Sequence, residues 1–187
     1  FLYLTYTIPH ANNERGKAEG NGMEVPSDEP YTDKPWPAPE KNKAAMITRL
    51  DGYVGKLIQK IKDLKLDEKT IVFFSSDNGP HKEGGIKPDF FRDTGELRGI
   101  KRDLTDGGIR VPMVVRWPAH IEPKQVREDV WGFVDFLPTA ADLSGAKAPA
   151  ELDGISVVPA LLGKAPLPAD RFLYWEFHER GYQQAVR

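Results

Sequence analysis

At 187 residues the chain is long enough to bury a core, and 40% hydrophobic with 29% charged residues is ordinary for a globular protein. Its 26 Lys and Arg nearly match its 28 Asp and Glu, so a net charge of -2 provides no basic surface for nucleic acid or an anionic membrane. The absence of cysteine excludes disulfides, zinc thiolate sites and a cysteine nucleophile, and no segment reaches the roughly 20 apolar residues of a membrane span.

Phe1 to Thr7 reads as a strand, broken by Ile8-Pro9 and followed by His10. The start lacks a basic n-region and so is not a signal peptide. It and the other end, Ala185-Val186-Arg187, read as the edges of a piece of a longer protein. A polar stretch then runs to about Glu40, with Pro26, Pro30, Pro35, Pro37 and Pro39 crowded into its second half. Tyr31 and Trp36 mark it as a loop packed onto something, and connections of that length are often functional. From Asn42 to Leu64 the pattern is helical, with Met46, Leu50, Tyr53, Leu57, Ile61 and Leu64 at three- and four-residue steps. Asp51 borders that stripe as an exposed charge or a hydrogen-bonding group at the core edge.

Ile71-Val72-Phe73-Phe74 is a buried-strand pattern that stops abruptly at Ser75-Ser76-Asp77-Asn78-Gly79. Pro112 to Trp117 predicts a third strand. Asp135 to Leu143 predicts a helix with Asp135 as N-cap and Gly145 as its stop. A short helix is expected near Val157–Leu162, and Phe172 to Phe177 reads as the first strand of something the chain does not finish. No repeat is present. This order points to an α/β fold with a mainly parallel or mixed sheet flanked by helices, incomplete at both ends, and to one domain by default.

In such sheets ligands gather beyond the carboxyl ends of the strands. Asp77 and Asn78 stand there, with a carboxylate and an amide oxygen of the kind hard cations bind. By itself Asp-Asn-Gly reads first as an Asx turn. His10 after the first strand and Lys101 in a Gly-flanked segment complete a set: oxygen ligands for a cation, a fixed positive charge and a proton donor. Together these could hold a tetrahedral oxyanion and protonate a leaving oxygen. Gly107-Gly108 has a backbone explanation, close approach or positive φ. Arg110 reads as a structural ion-pair partner.

The ordered blocks resemble the sulfatase family, arylsulfatase-like members of the alkaline-phosphatase-like superfamily. They are Phe1-Leu2-Tyr3-Leu4 ending in Pro9-His10, Leu50-Asp51-Gly52-Tyr53-Val54-Gly55-Lys56, Phe74-Ser75-Ser76-Asp77-Asn78-Gly79-Pro80-His81 and Leu97-Arg98-Gly99-Ile100-Lys101. Gly107 to Pro112, Arg116-Trp117-Pro118 and Asp135-Phe136-Leu137-Pro138-Thr139 continue the series. The resemblance implies that residues 1–165 form the C-terminal part of a catalytic α/β domain and that 166–187 begin a smaller C-terminal region. It implies sulfate-ester hydrolysis, with Asp77 and Asn78 as ligands to calcium, in preference to magnesium. Lys101 would contact the sulfate and His10 would serve the bridging oxygen as general acid. His81 would reach the substrate or, equally, be a loop histidine. A sulfated small molecule or glycan is the implied partner and a periplasmic or secreted location the implied setting; oligomeric state is left open.

Family members use a formylglycine made from Cys or Ser in C/S-x-P-x-R, with a further acidic metal-ligand pair nearer the N-terminus. None of Ser27, Ser75, Ser76, Ser144 or Ser156 lies in that motif, so the formylglycine is expected in another part of the protein and this chain alone is expected to be inactive. Many relatives have Gly after the lysine and Tyr-Glu before the Gly pair, where this chain has Arg102 and Thr105-Asp106. Two other readings stay open: a phosphodiester or phosphonate hydrolase of the same superfamily, and a catalytically inactive unit that binds sulfated glycans.

Overall fold

The computed structural model describes residues 1–179 and 181–187. They form two compact units, one of Phe1–Asp67 with Phe74–Met113 and one of Glu68–Phe73 with Val114–Arg187.

The first unit opens on residues that form no strand. Phe1, Leu2 and Tyr3 are more than two-thirds exposed. The apolar pattern supplies strand propensity, but a ladder also needs a partner, and no described strand pairs here. The polar stretch after His10 holds a helix that was not anticipated, α1 (Asn13–Glu19). The Asn12 side chain accepts from Arg15 N–H, and Gly20 closes the helix in the left-handed region at φ 75°. With seven residues and none buried, α1 offers no apolar period to read.

Helix α2 (Ala38–Asp63) begins four residues before the expected start. Pro39 lies in its first turn, where a missing N–H costs nothing. Its predicted stripe is buried at Met46, half-buried at Leu50, Leu57 and Ile61, and exposed at Tyr53, Leu64 and Asp51. Met46 joins Ala11, Met23 and Ile86 in the core of this unit, with Ile8 and Val25 packed alongside. Near the helix start, buried Glu40 accepts the Lys87 N–H at 2.6 Å.

Strand β1 (Val72–Ser75) pairs with β2 (Met113–Arg116), and the short α3 (Asp106–Ile109) precedes β2. Within the second unit Phe73 packs edge-on against Trp131 and Phe136, at centroid distances of 6.4 and 5.6 Å. A 3-10 turn, Phe133–Asp135, leads into α4 (Phe136–Ser144), which stops at Gly145. The α5 turn (Val158–Leu161) follows. Strands β3 (Tyr174–Phe177) and β4 (Gln183–Val186) pair antiparallel, Tyr174 opposite Val186. The strand expected over Phe172 to Phe177 is thus one arm of a ladder. The alternation in Gln183–Val186 is too weak to announce its partner.

Asp135 stands at the N-cap position of α4 but makes no side-chain cap bond. Its fully buried carboxylate instead accepts from Gly132 N–H (2.8 Å), Ile155 N–H (2.9 Å) and Arg171 Nη2 (2.5 Å). Removing one member of a buried charge pair leaves the other uncompensated, at a cost of about 3–5 kcal/mol. Asp135→Asn should lower the unfolding free energy by that amount in urea titration. Arg171→Met should cost a similar amount, because it leaves the fully buried Asp135 carboxylate without its counter-charge.

Candidate functional site

Three loops of the first unit build the site. The turn before α1 is closed by His10 N–H donating to Thr7 O at 2.9 Å. The second loop leaves β1. There Ser75 Oγ donates to Pro112 O (2.8 Å) and Ser76 Oγ to Asn78 O (3.0 Å), so the small polar residues after Phe74 fasten the turn. The third loop carries Lys101, whose N–H donates to Pro80 O at 2.8 Å.

Glycine allows the second and third loops to touch. Gly79 N–H donates to Gly108 O at 2.9 Å. A Cβ on Gly79 would fall 1.9 Å from Gly107 O, and one on Gly107 would fall 2.0 Å from Gly99 O. Neither Gly107 nor Gly108 has positive φ, so close approach is the reason for the pair. On the other side Gly84 and Gly85, at φ 68° and 88°, press against the segment after α1. A Cβ on Gly85 would meet Gly20 O at 2.2 Å, and Gly22 N–H donates to Gly84 O at 3.0 Å. This contact carries His81 toward the Pro9-His10 turn.

The three expected basic residues converge. Lys101 Nζ lies 3.2 Å from His10 Nε2, and the His10 and His81 rings are 5.7 Å apart. His10 Nδ1 is 2.8 Å from Ala11 O. A carbonyl only accepts and an ammonium only donates, so the proton sits on Nδ1 while Nε2 accepts from Lys101. His81 is the opposite tautomer: Nδ1 accepts Glu83 N–H at 3.1 Å, and Nε2 faces Pro9 O at 3.5 Å.

The sequence reading missed the group that organises these charges. Glu83 places Oε1 2.6 Å from Arg102 Nη1 and Oε2 3.7 Å from Lys101 Nζ and 4.0 Å from His81 Nδ1. The Arg102 hydrogen bond, helped by the Lys101 and Arg102 charges, holds the Glu83 carboxyl below the usual carboxylate range. Arg102 itself adopts φ 79°, an uncommon conformation for a side chain of its size, and the Glu83 pair anchors it there. Only a carboxylate two residues after His81 and just before a Gly pair could have hinted at Glu83.

Asp77 is exposed and Asn78 half-buried. The Asn78 Nδ2 donates to Gly79 O at 2.9 Å, so Oδ1 is the atom chemically able to face a cation. Backbone bonds tie this pair to the Lys101 loop. The two oxygens suit calcium chemically and would supply two of the about six to eight it takes. Among the described residues no three His, Asp or Glu side chains form a metal-holding group. Arg110 pairs with Asp106 across one turn of α3 at 3.8 Å, the structural role expected of it.

Burial, more than any partner, pushes the His81 imidazole below its ordinary value of 6.5. Unfolding therefore takes up a proton in the window between the folded midpoint and about 6.5. The stabilising effect of neutral His81 is full above that window and is lost as pH falls through it. A histidine NMR titration should place the His81 midpoint below 6.5, and His81→Gln should flatten the pH dependence of stability in that window. A midpoint at or above 6.5 would contradict the buried, neutral assignment.

The family model described as Sulfatase matches residues 1–146. Steryl-sulfatase of Mus musculus is 34% identical over 145 residues, 75% of this chain and 23% of that protein. Arylsulfatase A of Homo sapiens is 37% identical over 134 residues, 69% of this chain and 25% of that protein. The chain thus spans about a quarter of the length of these curated relatives. The crystal structure of Ps i-CgsB in complex with k-i-k-neocarrahexaose superposes with a TM-score of 0.84 at 28% identity, covering 100% of this chain and 39% of that one. The fold is that of sulfatases, of the alkaline-phosphatase-like kind. With ordered motifs, fold and family model in agreement, the chain belongs to the sulfatase family.

Proposed function

We propose that this chain supplies the sulfate-contacting and leaving-group side of a sulfatase active site, and that the whole protein hydrolyses sulfate esters. The observation that carries the reading is the Lys101 Nζ to His10 Nε2 contact of 3.2 Å, beside a turn that offers two cation ligands. Lys101 brings a fixed ammonium to the sulfate oxygens. As the sulfate takes the Lys101 N–H, His10 Nε2 is released, takes up a proton from solvent and delivers it to the departing alcohol oxygen. Glu83 and Arg102 hold the Lys101 loop and its charge in place. His81 reaches the substrate from the opposite loop as a hydrogen-bond donor through Nε2.

Asp77 and Asn78 would hold calcium, which when bound supplies positive charge to the sulfate oxygens. The nucleophile would be a formylglycine, which no residue of this chain provides. The reading goes with a mainly parallel sheet flanked by helices in the complete catalytic domain, residues 1–165 being its C-terminal part and 166–187 the start of a smaller region. No described helix is long and apolar enough to cross a membrane, and a periplasmic or secreted setting accords with the proposed chemistry. The hexaose bound by the Ps i-CgsB structure supports a sulfated glycan as substrate.

The test uses the full-length protein with calcium, 4-nitrophenyl sulfate and k-i-k-neocarrahexaose. Lys101→Ala should lower kcat by about 10²–10³ on both esters, as loss of one anion-stabilising donor does. His10→Gln should cost about 10²–10⁴ on the hexaose and less on the aryl ester, whose leaving group needs little protonation. A wild-type protein inert toward both esters ends the reading. Asp77→Ala should weaken calcium binding at least about tenfold in calorimetry, a readout independent of turnover; unchanged affinity would remove Asp77 from the site.

A further inference from the structure

The proposed site leaves unused an open cleft on the same unit, lined by Lys82, Ile86, Lys87, Pro88, Asp89 and Phe90. It begins one residue beyond His81 and does not include His10 or Lys101. Ile86 is buried and forms the floor, while Lys82, Lys87, Asp89 and Phe90 are exposed at the walls. Neither lysine side chain has an ion-pair partner among the described residues. The cleft thus presents one aromatic face, two available ammonium groups and one carboxylate.

The aromatic wall is held rigidly. Phe90 stands edge-on to Trp36 at 6.1 Å and to Phe91 at 4.7 Å, and Trp36 stacks on Tyr31 at 5.5 Å. Lys43, almost buried on α2, reaches Asp93 at 2.5 Å and lies 5.1 Å over the Phe91 ring. Glu40, one turn earlier on the same helix, accepts the N–H of Lys87. Both ends of the 87–93 loop are therefore clamped to α2 by buried charge, and Phe90 and Phe91 stay about two-fifths exposed without having collapsed onto the core. Holding exposed aromatic rings in place has a use where a flat, weakly polar ligand face must stack on them.

Resting on the reading of this chain as part of a sulfate-ester hydrolase, we propose that this cleft is a subsite for a further sulfated sugar unit of a glycan chain. The sugar stacks its C–H face on Phe90, Lys82 and Lys87 pair with its sulfate, and Asp89 accepts from its hydroxyls. A small aryl sulfate filling only the His10–Lys101 site would leave the cleft empty. A sulfated protein surface is less well served, because Asp89 opposes acidic side chains but suits sugar hydroxyls.

Calorimetry on the full-length protein, with k-i-k-neocarrahexaose and a heparin-derived tetrasaccharide as probes, tests the subsite without requiring turnover. Lys82→Gln/Lys87→Gln and Phe90→Ala should each weaken binding of at least one probe tenfold or more. For an active enzyme, they should also lower the ratio of kcat/KM on the hexaose to that on 4-nitrophenyl sulfate at least tenfold. Unchanged affinity for both probes in folded variants, or no binding of either by the wild type, overturns the subsite. An inert wild type that still loses probe affinity in these variants keeps the subsite and refutes the hydrolase reading alone.

Discussion

Two loops can share this site only because their backbones touch where no side chain would fit. Gly79 lies against Gly107, and Gly107 against Gly99, at distances that any Cβ would make impossible. The two cross-bonds, Gly79 N–H to Gly108 O and Lys101 N–H to Pro80 O, then fix the Asp77-Asn78 turn beside the Lys101 loop. A second contact of the same kind, Gly84-Gly85 against Gly20 and Gly22, brings His81 to the Pro9-His10 turn. The positions of the candidate-site side chains follow from these backbone approaches.

Once the loops are joined, charge sets the details. Lys101 and Arg102 carry like charges on adjacent residues, and Glu83 lies against both as the compensating carboxylate. The Lys101 ammonium faces the imidazole nitrogen of His10 that has no hydrogen, so the pair attracts instead of competing. Lys101 stays partly exposed, and it lies nearer to His10 Nε2, at 3.2 Å, than to Glu83, at 3.7 Å. Buried charge serves a different end at Glu40, Lys43 and Asp93. There it secures the loop that presents Phe90 and Phe91.

Much of this was legible in the chain. The stripe from Met46 to Ile61 revealed α2, and the apolar runs before Ser75 and Trp117 revealed β1 and β2, because there local pattern and available partners agree. His10, Asp77, Asn78 and Lys101 stood out by type and by their place after strand-like runs. Other features left no such mark. Helix α1 lies on the surface and has no apolar face to repeat. Phe1 to Thr7 has the composition of a strand, yet a strand exists only through its neighbour. Asp135 has the right residue type for a cap, but three donors distant in the chain or behind it claim its carboxylate.

By itself, then, the sequence determined which segments could be helices or strands, the sulfatase-like order of motifs, and which residue types were available for oxyanion chemistry. Those properties depend on local propensity and side-chain identity. The tertiary structure alone decided that Lys101 meets His10 across 91 positions, that Glu83 compensates Lys101 and Arg102, and that Lys43 meets Asp93 across 50 positions beside the aromatic wall. Such pairings depend on loop closure and on backbone contact distances, quantities that no local pattern encodes.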